Sequence, residues 1–136
     1  MGWYRPCGHA CFMSEEAELL KARSMRFALD VSQLIKALPS DEPGPTVKRQ
    51  LAKAATSVAF NYRAACRGRS HAEYTAKIGV VAEESDETLG WLEFIEAATL
   101  ISQTKLADLL QEAKELCAIF SASYGTAKRR ERGNSG

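Results

Sequence analysis

The sequence predicts an all-α fold, an up-down-up-down antiparallel four-helix bundle, and three observations indicate it. Apolar residues recur at helical spacing and no segment alternates with the period of a strand. Breaks fall at residues 39–45 and 68–70, with a weaker one at 99–103. The 136 residues suit one domain, with 46% hydrophobic and 26% charged residues typical of a globular chain. Short connections between four long helices make successive helices antiparallel neighbours.

The first helix is predicted to begin after Ser14, which can cap it, and to end at Pro39. Glu15 and Glu16 suit the positive end of the helix dipole. Its apolar face contains Leu20, Phe27, Val31, Leu34, Ile35 and Leu38.

The second helix has an unusually small core face. Alanines at 54, 55, 59, 64 and 65 allow a neighbouring helix to approach closely, and Gly68 is placed to stop the helix. The apolar stripe comprises Val47, Leu51, Ala54, Ala55, Val58, Tyr62 and Ala65.

The third helix is predicted to start at a capping box, because Ser70 and Glu73 have the S-x-x-E spacing. The fourth opens at Ser102 or Thr104. The third helix has the apolar face Tyr74, Ile78, Val81, Ser85, Leu89, Leu92 and Ile95, and the fourth has Leu106, Leu109, Leu110, Ala113, Leu116, Phe120 and Tyr124.

We therefore divide the chain into a loose N-terminal extension (1–13), the bundle (14–127) and a basic disordered tail (128–136). Met13 looks like a natural start, so residues 1–12 could lie upstream of it. Cys7, His9 and Cys11 are potential zinc ligands, but they match no usual spacing and lack a fourth ligand, so we predict no metal site. No segment resembles a signal peptide or the roughly 18 apolar residues of a membrane span. We predict a cytoplasmic protein with reduced cysteines and no membrane contact.

The net charge of +1 conceals a strong polarisation. Residues 44–81 carry seven basic residues and one acid, residues 82–115 carry two basic residues and nine acids, and residues 128–132 add a net +3. The second helix is thus basic and the third acidic.

One stripe of the second helix, opposite its apolar face, predicts nucleic-acid binding. It contains Arg49, Lys53, Thr56, Phe60, Arg63 and Arg67, so that basic side chains can follow a phosphate backbone while the aromatic ring stacks on a base. Arg69, Lys128, Arg129 and Arg130 extend the basic set. Alternatively, the stripe pairs with the acidic third helix of the same or a neighbouring subunit, or is simply solvated.

The third helix has a second apolar edge, formed by Val80, Trp91 and Phe94 and interleaved with glutamates. Because a helix in a monomeric bundle needs only one apolar stripe, this edge predicts self-association.

Catalytic motifs are missing from the sequence. The histidines are His9, in the N-terminal extension, and His71, at the start of the third helix, so no Ser-His-acid or Cys-His arrangement is expected. There is no phosphate loop and no Glu-x-x-His pair of the kind that holds a di-metal centre in a bundle. We predict a protein that is not an enzyme and uses no cofactor.

The stretch from Gln50 to Trp91 resembles a family of bacterial four-helix-bundle proteins first noticed as open reading frames in intervening sequences of large-subunit ribosomal RNA genes. Residues 56–65 (TSVAFNYRAA) are similar to that family's end of helix two, and residues 69–74 (RSHAEY) to its start of helix three. The resemblance covers about residues 15–130 and implies a bundle that assembles into a ring, commonly a homopentamer, without established enzymatic activity. A related accessory protein of diversity-generating retroelements forms a basic pentameric barrel that binds nucleic acid and its reverse transcriptase.

The resemblance also implies a polar hinge between the second and third helices, at Asn61, Arg63, Arg67, Arg69, Ser70 and Glu73. We expect Asn61 to form a hydrogen bond across the helix pair near this turn. The sequence thus predicts a homo-oligomeric accessory protein that binds RNA or DNA, or alternatively a protein-interaction scaffold ring that binds no nucleic acid.

Overall fold

The computed structural model describes residues 14–135 and contains four α-helices with no β-strand in this range. They are α1 (Glu15–Leu34), α2 (Gly44–Ala65), α3 (His71–Ala97) and α4 (Gln103–Ser135), and a 3-10 turn (Ile35–Ala37) follows α1. The helices α1 and α2, α2 and α3, and α3 and α4 pack as neighbours, while α1 and α4 meet along a thinner seam. The predicted four-helix fold is confirmed. The N-terminal extension, with its Cys7, His9 and Cys11 pattern, lies outside the described residues.

Serine side chains start α1 and α3, as the sequence predicted. Ser14 Oγ accepts a hydrogen bond from the Ala17 N–H at 3.1 Å, and Ser70 Oγ accepts one from the Glu73 N–H at 3.1 Å. The Glu73 carboxylate accepts from the Arg69 N–H at 3.0 Å, one residue before the cap, rather than from the cap residue itself. Both serine caps thus satisfy N–H groups in the first turn that would otherwise lack a partner.

Gly68 has a different role from the helix stop that we expected. The helix α2 already ends at Ala65, and Gly68 lies in the following turn. A Cβ atom on Gly68 would lie 3.2 Å from the Tyr74 backbone nitrogen and 3.2 Å from the Ala65 carbonyl oxygen. A side chain here would crowd the backbone, which favours glycine because the turn passes close to the start of α3.

The core comprises the predicted apolar faces of all four helices. Tyr62 of α2 and Phe120 of α4 meet at its centre, with ring centroids 5.2 Å apart. Only the outer members of the predicted faces, such as Leu20, Tyr74 and Leu89, are partly buried. Of the small α2 residues, Ala54, Ala55, Ala59 and Ala65 are buried under neighbouring helices, whereas Ala64 is only partly buried.

The tail differs from the sequence prediction, because residues 128–135 continue α4 instead of forming a disordered segment. Ala127 is buried and anchors the turn before them. Lys128 Nζ then pairs with Glu131 Oε1 at 3.4 Å, and Arg129 Nη2 donates to Thr126 Oγ1 at 3.2 Å. Lysine, arginine and glutamate are good helix formers, so contacts between successive turns extend a helix that has no apolar residue left to bury.

Candidate nucleic-acid interface

The basic stripe of α2 is open to solvent along its length. Arg49, Lys53, Arg63 and Arg67 are all exposed, and Phe60 in the middle of the stripe is 58% exposed. Arg67 was expected on the second helix, but α2 ends at Ala65 and Arg67 lies in the turn that follows. Thr56 is partly buried and bonds to the Ala52 carbonyl of its own helix. These residues face solvent because the opposite face of α2 is fully occupied by the core.

The basic residues of α2 form no ion pair within residues 14–135. The carboxylates that do form ion pairs there bind Lys21, Arg23, Arg26 and Lys128. The positive charge of Lys53 lowers the pKa of Glu84 in α3. Burial and the neighbouring Glu87 raise that pKa by more, so the net shift is upward. The structure therefore does not show the alternative in which α3 of the same chain neutralises the stripe.

A second group of basic residues meets at one end of the bundle, where α2 ends, α3 begins and α4 ends. Here His71 Nε2 lies 3.0 Å from the Ala127 carbonyl oxygen, which joins the start of α3 to the end of α4. Arg67, Arg69, Arg129 and Arg130 are exposed in these segments. This end of the bundle therefore presents further exposed basic side chains beside the end of α2.

Lys128 differs from the other predicted basic residues, because it has a carboxylate partner. Its Nζ atom pairs with Glu131, and its side chain lies partly buried against α3 near Gly79 and Val80. Its charge is therefore partly offset by Glu131, unlike that of the neighbouring arginines.

The predicted polar hinge is only partly as expected. Ser70 and Glu73 fix the start of α3, as described above. Asn61 was expected to bond across the helix pair, and this prediction is wrong, because Asn61 Nδ2 donates to the Ser57 carbonyl of α2 at 2.9 Å. A carbonyl one turn earlier in the same helix is always within reach of a short polar side chain and competes with a bond across the helix pair.

The second apolar edge of α3 lies at the surface near the acidic residues. Val80 is 36% exposed and Phe94 is 43% exposed, whereas Trp91 is partly buried against the core. The Trp91 and Phe94 rings make an edge contact with centroids 5.7 Å apart. The sequence analysis missed two further exposed leucines, Leu19 and Leu29 of α1, which no periodic pattern marks as separate from the core face.

The cysteines of the described chain suit packing rather than chemistry. Burial raises the pKa of Cys66, so its thiol stays protonated and uncharged near neutral pH. Within residues 14–135 no three His, Cys, Asp or Glu side chains lie close enough together to hold a metal ion. The helices in this range also lack the combination of length and apolar character needed to cross a membrane.

Comparison with known proteins gives matches of two kinds. A family model described as 23S rRNA-intervening sequence protein matches residues 18–122. Among solved structures, a protein of unknown function from the S23 ribosomal protein family of Bacteroides thetaiotaomicron has a TM-score of 0.70 and 23% identity, covering 77% of this chain and 97% of that one. At this identity the likeness is one of fold. No curated protein matches the chain.

Proposed function

The chain belongs to the 23S rRNA-intervening sequence protein family, and from that premise we propose that it is a homo-oligomeric accessory protein that binds the backbone of single-stranded nucleic acid through α2. The observation that carries the proposal is the row of exposed basic residues without carboxylate partners, with Phe60 at its centre. Backbone binding of this kind depends on charge and stacking and requires no catalytic group.

The dimensions of the stripe suit a short single strand. From Arg49 to Arg63 the stripe rises about 21 Å along α2, at about 1.5 Å per residue, and Arg67 follows in the turn after the helix. An extended strand can place about four phosphates along such a length, one for each basic residue, which falls within the site sizes of about 4–16 nucleotides known for single-strand binders. The aromatic ring favours unpaired bases, because a duplex presents no free base face for stacking.

The salt dependence of binding tests the proposal. We expect single-stranded RNA or DNA of one sequence to give a slope of log K against log salt of about −3, since each neutralised phosphate contributes about −0.7. Fluorescence anisotropy at several salt concentrations measures the slope. Parallel titrations with RNA and DNA show which backbone binds more tightly.

Substituting two basic residues at a time shows whether the contacts are made by the stripe. Arg63→Gln with Arg67→Gln should reduce the slope to about −1.5, because two phosphate contacts are lost. Lys105→Gln with Lys114→Gln removes the same charge from exposed positions on α4 and should leave most of the slope intact. An absence of binding at low salt, or equal effects of both pairs, would contradict the proposal.

A second candidate is a protein-interaction scaffold ring, which the exposed Val80 and Phe94 on the acidic helix favour. Two copies of α3 facing each other would bring exposed residues such as Glu83 and Glu87 into mutual repulsion. Contact between α3 of one copy and basic α2 of the next avoids this repulsion and is head-to-tail, the geometry that generates rings. In this case α3 of a neighbouring copy covers the stripe. We then expect the oligomer to dissociate as the salt concentration rises, and the protein to bind no nucleic acid at any salt concentration.

A further inference from the structure

A cavity of about 360 Å³ lies beside the basic end of the bundle, between the first turn of α3 and the last turns of α4. Its lining includes His71, Tyr74, Ser123, Thr126 and Arg130. The volume lies within the range of small-molecule sites. Two aromatic rings and one guanidinium thus meet in a concave site outside the α2 stripe.

The aromatic side chains of the cavity are held in defined positions. The Ala127 carbonyl can only accept a hydrogen bond, so the 3.0 Å contact places a proton on His71 Nε2 and fixes the orientation of the ring. The Tyr74 ring lies 6.3 Å from the His71 ring between centroids. Burial raises the pKa of Tyr74, against a smaller opposing effect of Arg130, so its hydroxyl is uncharged near neutral pH. Neither ring introduces negative charge into the cavity.

The charges around the cavity favour an anion. Arg130 is exposed at its edge, and Arg67, Arg69 and Arg129 lie at the same end of the bundle. Of the carboxylates at this end of the bundle, Glu131 pairs with Lys128 and Glu73 accepts a hydrogen bond from the Arg69 N–H. Glu16 and Glu18 of α1 lie farther away and act on Tyr62 and Cys66. Within the described residues, none of these four arginines forms an ion pair.

We propose that this cavity binds a phosphate monoester, either the terminal phosphate of a nucleic-acid strand or that of a free nucleoside monophosphate. The Arg130 guanidinium can bind two phosphate oxygens at once, and the His71 and Tyr74 rings offer faces against which the attached nucleoside can pack. A terminal phosphate differs from an internal one in its second negative charge, which strengthens its attraction to the Arg130 guanidinium. The strand-end case rests on the function proposed above, whereas the free-nucleotide case is independent of it.

The test compares single-stranded oligonucleotides of one sequence that end in a 5′-phosphate, a 3′-phosphate or only hydroxyl groups. If the cavity holds a strand end, one phosphorylated form binds about tenfold more tightly than the hydroxyl form by fluorescence anisotropy. Arg130→Gln should abolish that preference. Arg132→Gln, which removes an exposed arginine of the same helix that does not line the cavity, should keep it.

Calorimetric titration with adenosine monophosphate, and with inorganic phosphate alone, distinguishes the two sources of the phosphate. Binding of the nucleotide that is lost in Arg130→Gln and kept in Arg132→Gln, without any strand-end preference, assigns the cavity to a free nucleotide. If all three oligonucleotides bind equally and the nucleotide does not bind, the cavity proposal is overturned while the proposed function stands. If no oligonucleotide binds but the nucleotide binds in a way that depends on Arg130, the result supports the cavity proposal and contradicts the proposed function. If neither the oligonucleotides nor the nucleotide bind, both proposals are overturned.

Discussion

The guanidinium of Arg23 in α1 binds the carboxylate of Glu112 in α4 through two hydrogen bonds, Nε to Oε2 at 2.7 Å and Nη2 to Oε1 at 2.8 Å. Nη2 also donates to Glu115 Oε1 at 2.8 Å. This cluster closes the seam between the first and last helices, which has the least packing of any neighbouring pair. A groove lined by Phe27 and Leu109 runs beside it. Polar contacts therefore contribute more to closure here than along the other helix pairs.

We predict a coupling free energy of about 1 kcal/mol between Arg23 and Glu112, in the upper range for partly exposed pairs because the contact is bidentate. A double-mutant cycle with Arg23→Ala and Glu112→Ala, followed by urea unfolding, measures it. The same cycle on Arg26 and Asp30, a single contact within α1 in which Arg26 is 74% exposed, should give about 0.5 kcal/mol or less. Equal coupling in both cycles would contradict the role assigned to the seam.

The same cluster predicts a loss of stability in acid. Hydrogen bonds from Gln111 and then from Arg23 lower the pKa of Glu115 below its ordinary value of 4.5. Because the unfolded chain then binds a proton more readily than the folded one, this stabilisation is complete above pH 4.5 and disappears as the pH falls through the folded-state pKa. Thermal unfolding between pH 7 and pH 3 should show a smaller loss for Glu115→Gln than for the natural sequence. A parallel loss in the two proteins would assign the acid sensitivity to other carboxylates.

Two glycines of α3 should respond differently to alanine. A Cβ on Gly90 would meet nothing within 4 Å, so Gly90→Ala should raise the free energy of unfolding by about 0.5–1 kcal/mol through helix propensity. A Cβ on Gly79 would lie 2.9 Å from Tyr124 Cε1, so the tyrosine ring must move and Gly79→Ala should stabilise less or destabilise. Denaturant unfolding of both variants gives the comparison. An equal gain would mean that the Tyr124 ring moves at no cost.

A buried serine of the core should be replaceable with a gain in stability. Ser85 Oγ is buried without a hydrogen-bond partner, beside Phe27, Val58 and Leu116. Ser85→Ala removes an unsatisfied polar atom from an apolar site and should raise the free energy of unfolding by about 1 kcal/mol.

Ser24 is the matched control for that change. It is equally buried, but its Oγ donates to the Lys21 carbonyl at 3.0 Å. Ser24→Ala should therefore bring no comparable gain, because a satisfied hydrogen bond is lost. If Ser85→Ala destabilises the protein, the packing of the hydroxyl outweighs the cost of its missing hydrogen bond, and the prediction is wrong.

The outer edge of α3 should carry self-association. Phe94→Ala with Val80→Ala removes the most exposed apolar side chains of α3, and light scattering should then give a mass near the 14.9 kDa of one chain. Leu19→Ala with Leu29→Ala removes comparably exposed apolar area from α1 and should leave the mass of the oligomer unchanged. An unchanged mass in the α3 variant, or dissociation in the α1 variant, would place the interface elsewhere.

Local chemistry made most of the fold predictable. The apolar period of each helix, the caps at Ser14 and Ser70 and the burial of the small α2 alanines all depend on residues within a few positions of each other. The exposure of Phe60 and Arg63 followed from the same periodicity, because a helix with one buried face presents the opposite face to solvent.

The tertiary structure alone decided the relationships between helices. Arg23 and Glu112 lie 89 positions apart, and His71 and the Ala127 carbonyl lie 56 apart, so neither pairing leaves a local pattern. Whether the α2 stripe is neutralised by α3 was likewise open, because two helices of opposite charge can be neighbours without their charged faces meeting. The sequence by itself determined which face of each helix is buried, since that depends on residue type and period. Only the packing of the helices determined which charges lie open and where a cavity forms between them, since both depend on the distances between surfaces far apart in the chain.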